Sequence, residues 1–252
     1  MAQLHELVNY CTNLLQVQDY QDYCPNGLQV GGRPEVRRLV SGVTASLALI
    51  EAAVEAGADA ILVHHGWFWN GEDPRVVGMK QRRLQPLLCN GISLIAYHLP
   101  LDGHPELGNN ALLGQLLGIV PEGRFGKGPA GGIAAYGMLE AAVDSGAFAT
   151  LIEQRLGRRP LHIAGSGRPL RRVGWCSGAA QGWIEQAAAL GLDAFISGEI
   201  SEHTVHAARE LGIDYFAAGH HATERYGVQA LGEKLSQEFD LNHTFIDIDN
   251  PV

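Results

Sequence analysis

With 252 residues, 46% hydrophobic and 18% charged, the chain can bury a real core in one large domain or two moderate ones. Its formal charge of −9 excludes a broad, non-specific grip on nucleic acid, which needs Lys and Arg massed near phosphates. No stretch reaches the ~20 apolar residues of a membrane span, and Met1 to Tyr20 lacks the order of a signal peptide, a basic segment followed by an apolar block. The scattered cysteines Cys11, Cys24, Cys89 and Cys176 form neither a zinc knuckle nor a disulfide framework. They fit reduced thiols, and a cytoplasmic protein is expected.

Taken in order, Leu4, Leu7, Val8, Cys11, Leu14 and Leu15 recur at helical spacing. Asp22 to Gly27 stops that helix with an Asn-Gly turn, and Leu28 to Val30 is a short strand. Arg38 to Val43 reads as a strand, Thr44-Ala45-Ser46 as the cap of a helix over Leu47 to Ala56, and Gly57 as its stop. Ala60 to Val63 is a short apolar run of the kind that forms a buried parallel strand, and it ends in His64-His65-Gly66. Trp67-Phe68-Trp69 then either wall a site or pack ordinarily. A helix over Met79 to Asn90 ends at Gly91, and the strand Ile92 to Tyr97 is closed by His98-Leu99-Pro100-Leu101-Asp102. Asn109 to Gly118 is helical, and the Gly- and Pro-rich composition of Gly118 to Gly137 marks a linker between lobes.

The second lobe repeats the pattern. A helix at Ala147 to Leu156 is followed by a strand at Arg172 to Cys176 and a helix at Gln181 to Leu190. A strand at Leu192 to Ser197 ends in Gly198-Glu199, and a helix follows at Glu202 to Leu211. The strand Ile213 to Ala218 closes with Gly219-His220-His221-Ala222-Thr223-Glu224, before a helix at Val228 to Phe239 and a last strand at His243 to Ile248. At one constant offset Arg37-Arg38-Leu39 matches Arg171-Arg172-Val173, and Gly57-Ala58-Asp59-Ala60 matches Gly191-Leu192-Asp193-Ala194. The fold class is therefore α/β, with two similar lobes from an internal duplication, each a mainly parallel sheet flanked by helices. The lobes are expected at residues 1–125 and 126–252, with a metal site in the cleft between them.

Five groups are candidate ligands: His64, His65, Asp102, His220 and Glu224. In open α/β sheets reactive groups collect at the carboxyl ends of strands. Mixed imidazole and carboxylate ligation suits Zn, Fe, Mn, Co or Ni better than Ca or Mg. Successive residues of a strand point to opposite faces, so His64 and His65 share one ion only with difficulty. Two ions relieve that conflict, and bound water becomes a nucleophile near neutral pH. The bland alternative for the His-His pair is one buried and one surface histidine. Gly123 to Gly128 lacks P-loop spacing and Gly165-Ser166-Gly167 is no nucleophile elbow, which sets aside NTPase and serine-hydrolase readings.

Asn26-Gly27-Leu28-Gln29-Val30, Gly42-Val43-Thr44, His64-His65-Gly66, His98 to Asp102 and Gly219 to Glu224 together resemble the NIF3-like family, in its short bacterial branch. The resemblance runs from near residue 20 to Ile246-Asp247-Ile248. It implies a NIF3-like fold assembled as a toroidal homohexamer, with two divalent transition-metal ions per chain on those five ligands and Glu224 as the bridge. His98 and Glu199 would lie beside the ligands as catalytic proton-transfer groups. The family's label, GTP cyclohydrolase I type 2 homologue, implies metal-dependent hydrolysis of a nucleotide-like small molecule. The alternative from another class is a ring-shaped metal-binding scaffold contacting protein or nucleic acid. That reading needs the doublets Arg82-Arg83 and Arg158-Arg159 to cluster at the hole of the ring, while net charge weighs against it.

Overall fold

The computed structural model describes residues 1–252 and divides into two compact units. The first holds Met1–Leu101 and Gly227–Asp249, the second Asp102–Tyr226 and Asn250–Val252. The division therefore falls after Leu101 and not at residue 125, and a C-terminal segment returns to the first unit.

The first unit runs β1 (Ala2–Gln3), α1 (Leu4–Leu14), β2 (Gly27–Val30), β3 (Glu35–Val36), β4 (Arg38–Thr44), α2 (Leu47–Glu55), β5 (Ala60–His65), α3 (Gly78–Asn90), β6 (Ser93–Ala96) and α4 (Leu99–Gly103). Ser46 caps α2 by accepting the N–H of Leu49, and Gly91 ends α3 with φ +62°, as the sequence signals required. The second unit runs α5 (Asn109–Leu116), β7 (Ile119–Phe125), β8 (Ala134–Val143), α6 (Ser145–Leu156), β9 (Leu161–Ile163), β10 (Leu170–Trp175), α7 (Ile184–Ala189), β11 (Ala194–Ser197), α8 (Glu202–Leu211) and β12 (Asp214–Ala217). Helix α9 (His220–Phe239) begins in the second unit, and its residues from Gly227 onward belong to the first, as does β13 (Asn242–Phe245).

In the first unit the sheet order is β13-β4-β5-β6-β2, parallel except for the antiparallel edge strand β2. Strand alternation splits its core. Leu39, Val43, Ala60, Leu62 and Ile95 face α1 and the Val228–Leu235 stretch of α9, whereas Val40, Ile61, Val63, Leu94 and Ala96 face α2 and α3. Burial on both faces is why Ala60-Ile61-Leu62-Val63 is apolar throughout. The second sheet has the order β7-β8-β10-β11-β12-β9, with β10, β11 and β12 parallel and the others antiparallel. One face carries Val173, Ala194, Ile196 and Phe216 against Phe148 and Ile152 of α6 and Leu113 of α5.

The duplication is visible strand by strand. The order β4-β5-β6-β2 of one sheet recurs as β10-β11-β12-β9 in the other. Leu39 pairs with Ala60 as Val173 pairs with Ala194, and Gly27 with Ala96 as Leu161 with Ala217. The matched aspartates do the same work. Asp59 accepts the backbone N–H groups of Arg37 and Arg38 at 2.8 and 3.0 Å, and Asp193 those of Arg171 and Arg172 at 2.9 Å each. Two arginine doublets are thus chain anchors through their backbone. The Gly-rich segment expected as a linker is instead the β7–β8 hairpin, antiparallel from Ile119 to Phe125. Its glycines serve a tight connection, with Gly126 at φ +87° and Gly128 at φ +128°.

Candidate metal centre

In the first unit β5 delivers two imidazoles to one place. The β5–β6 pairing ends at Val63 and Ala96, so beyond Val63 the side chains can turn across the end of β6. The rings of His64 and His65 lie 4.6 Å apart, and His98 stands 5.1 Å from the first and 5.7 Å from the second. Alternation along a regular strand is thereby overcome at the sheet's end. The three histidines each offer one ligand atom, and these atoms lie within 4.8 Å of one another.

Hydrogen bonds set the chemistry of these rings. His64 Nδ1 lies 2.9 Å from the carbonyl oxygen of Tyr97, which can only accept, so Nδ1 donates. His98 Nδ1 lies 2.9 Å from Asp22 Oδ1 and donates likewise. His65 Nδ1 is 3.2 Å from the Thr44 hydroxyl. With Nδ1 engaged, a neutral His64 or His98 ring presents its lone pair on Nε2, the arrangement that orients histidine toward a metal or a proton. Trp69 stands edge-on to His98 at 5.2 Å, whereas Trp67 is a core residue whose Nε1 donates to Ala45 O at 3.0 Å. The two tryptophans therefore divide between the histidine cluster and the core, while Phe68 is exposed.

In the second unit His220 and Glu224, expected at the close of a strand, occupy the first turns of α9 and face each other one helical turn apart. His220 Nδ1 is 2.7 Å from Glu199 Oε1 and Nε2 is 3.1 Å from Glu224 Oε2. Desolvation works to lower the His220 pKa, but Glu224 and then Glu199 outweigh it and push it up to about 9. Asp102, in α4, is buried and its Oδ1 accepts from Asn109 Nδ2 at 2.9 Å and Ser177 Oγ at 3.0 Å. Burial, reinforced by the charges of Asp102 and Glu224, holds the Cys176 thiol well above its usual range. Gly178, at φ +65°, leaves room for the acids: a Cβ there would run into Glu224 Oε1.

Sequence reasoning missed Asp22, Asn109, Ser177 and Gly178. Only Asn109-Asn110, two amides where a helix was expected to begin, gave a signal that could have been followed. Of the sequence-derived candidates, His64, His65 and His98 meet in the first unit, and His220, Glu224 and Glu199 meet in the second. The donor set of imidazole nitrogen and carboxylate oxygen fits a borderline divalent metal.

The chain is similar over nearly its whole length to known proteins. A family model described as Duf34/NIF3 (NGG1p interacting factor 3) matches residues 2–251. A Pseudomonas aeruginosa protein named "GTP cyclohydrolase 1 type 2 homolog" is 58% identical over 249 residues, covering 99% of this chain and 98% of the relative. An Escherichia coli K12 protein of the same name is 50% identical over 252 residues, covering 100% and 99%. Among solved structures, "protein ybgI, unknown function" aligns with TM-score 0.96 at 49% identity, covering 100% of both chains. TTHA1606 from Thermus thermophilus aligns with TM-score 0.86 at 34% identity, again covering 100% of both.

Proposed function

The chain belongs to the Duf34/NIF3 family, and from that premise we propose that it is a dinuclear-metal protein acting as a metal-dependent hydrolase on a nucleotide-like small molecule. In this reading His64, His65, Asp102, His220 and Glu224 would together hold two divalent transition-metal ions. The observation that carries the metal reading is the pair of imidazoles delivered by the end of β5, the His64 and His65 rings 4.6 Å apart and His64 oriented by its Nδ1 donating to the Tyr97 carbonyl. Ions bound there would supply Lewis acidity and activate water at neutral pH.

The chain's own residues do the rest. Asn109 and Ser177 hold Asp102 by one oxygen and so orient the other. Glu199 fixes the His220 ring and stands ready to take a proton, and His98 is the second group assigned to proton transfer. Trp69, beside His98, gives a planar substrate an apolar wall. The name carried by the relatives points to a purine nucleotide as the substrate class.

Assembly as a toroidal homohexamer in the cytoplasm completes the proposal. Val76, Val77 and Met79, exposed before and at the start of α3, support a subunit contact, and no helix is long and apolar enough to cross a membrane. The test is elemental analysis of metal-reconstituted protein with a screen against nucleotides, phosphoesters and cyclic amides. Two ions per chain and metal-dependent turnover are expected. Turnover that persists after verified metal removal contradicts the hydrolase reading.

A further inference from the structure

We infer that Asp22 is a positioning residue that fixes His98 in the tautomer with hydrogen on Nδ1 and the lone pair on Nε2, making it a proton acceptor. This deepens the hydrolase reading and rests on it for the destination of the proton. Asp22 lies in the turn that the sequence marks between α1 and β2.

The carboxylate is bound on both oxygens. Oδ1 accepts from His98 Nδ1 at 2.9 Å, from the backbone N–H of Tyr23 at 2.7 Å and from Cys24 Sγ at 3.8 Å. Oδ2 accepts from Asn26 Nδ2 at 2.9 Å and from the backbone N–H of Leu99 at 3.0 Å. Asn26 returns the bond by accepting the N–H of His98 at 2.7 Å. The turn is thus fastened to the end of β6 through its side chains, and that of Asp22 is only 4% exposed. A carboxylate with every neighbour donating cannot itself donate, so the proton between it and His98 belongs to Nδ1. Tyr23 and Trp69 stand edge-on to the imidazole at 5.1 and 5.2 Å and hinder its rotation.

The second unit reaches the same clamp by another route. His220, after β12, has Nδ1 on Glu199, which follows β11, whereas His98, after β6, has Nδ1 on Asp22, which precedes β2. The carboxylates come from non-equivalent positions of the duplicated sheets. A clamp that merely descended from the duplication would use matched positions, so the paired imidazole and carboxylate is the property both halves have acquired.

Neutron diffraction from deuterated crystals of the full chain, with and without zinc, tests this directly. The expected map shows deuterium on His98 Nδ1 and none on Nε2, and Asp22→Ala loses the single tautomer, with deuterium on Nε2 or a rotated ring. Zinc affinity in Asp22→Ala stays within about threefold of wild type, because His98 is not a ligand in this account. Orienting partners of true ligands cost about 10–100-fold in affinity, so a loss of that size would make His98 a ligand and overturn the assignment. Deuterium on Nε2 in the wild type, or an unchanged ring in Asp22→Ala, overturns it as well. Failure of the wild type to take up zinc would remove the metal reading, while the zinc-free map still decides the tautomer.

Discussion

Gly178→Ala is the substitution whose consequences the structure specifies most fully. The residue has φ +65°, and an L-residue in that conformation costs roughly 1–2 kcal/mol. The added methyl group meets Glu224 Oε1 and lies 3.1 Å from His220 Nε2. Glu224 is only 3% exposed, so its carboxylate has little space to retreat and must leave its position beside His220. Stability should fall by about 1–2 kcal/mol, or roughly 2–8 °C in melting temperature for a chain of this size. Metal binding should fall much further, by tenfold or more, since displacing an orienting partner already costs about 10–100-fold. Thermal unfolding of the metal-free protein and zinc titration of the same sample separate the two effects. A variant that melts earlier yet binds two zinc ions at wild-type affinity would refute the placing of Glu224 among the ligands.

Removing the matched aspartates should cost stability in both halves. Asp59→Ala and Asp193→Ala each strip a charged acceptor from two backbone N–H groups, and urea unfolding should show a loss of about 3 kcal/mol for Asp193→Ala and a larger one for Asp59→Ala, which also loses its ion pair with Arg33. The Asp22 pKa is depressed to about 2: desolvation raises it, but the hydrogen bond and charge of His98, with Asn26 and the Leu99 N–H, outweigh that. A depressed carboxylate stabilises the fold fully above its ordinary value near ~3.9 and loses that contribution as pH falls through about 2. Wild-type protein should therefore lose more stability than Asp22→Asn over that window in denaturant titrations, and equal slopes would count against the Asp22–His98 pair. Chelation should lower the melting temperature, because a ligand at about 100 times its dissociation constant adds about 2.7 kcal/mol. No shift on exhaustive chelation of zinc-loaded protein would argue against a folded-state site.

Much of this was legible because the relevant constraints are local. Ala60 to Val63 had to be apolar to lie inside a sheet covered on both faces, and the histidines had to appear where that requirement stopped. Gly91, Ser46 and the paired aspartates are likewise short-range signals. The Gly118 to Gly137 stretch misled because a hairpin and a linker draw on the same residues. Gly137, for instance, sits where a Cβ would strike the Val120 carbonyl across the ladder, a constraint invisible without the partner strand. The sequence pattern puts His220 and Glu224 at a strand end, since the apolar repeat of α9 becomes clear only from Val228, whereas the helix begins at His220. The return of Gly227–Asp249 to the first unit depends on packing of Val228, Leu231 and Leu235 against residues near the N-terminus, and no local pattern announces that pairing. Asp22 escaped notice for the same reason: its partner His98 is distant in sequence and nothing in the turn distinguishes a clamp from a stop signal.

The most direct test of the dinuclear reading is an anomalous-difference map from crystals of the manganese- or zinc-loaded chain. Two peaks bonded to His64, His65, Asp102, His220 and Glu224 are what this account requires. A single peak held only by His64, His65 and His98, or density that leaves Glu224 uncoordinated, would contradict it.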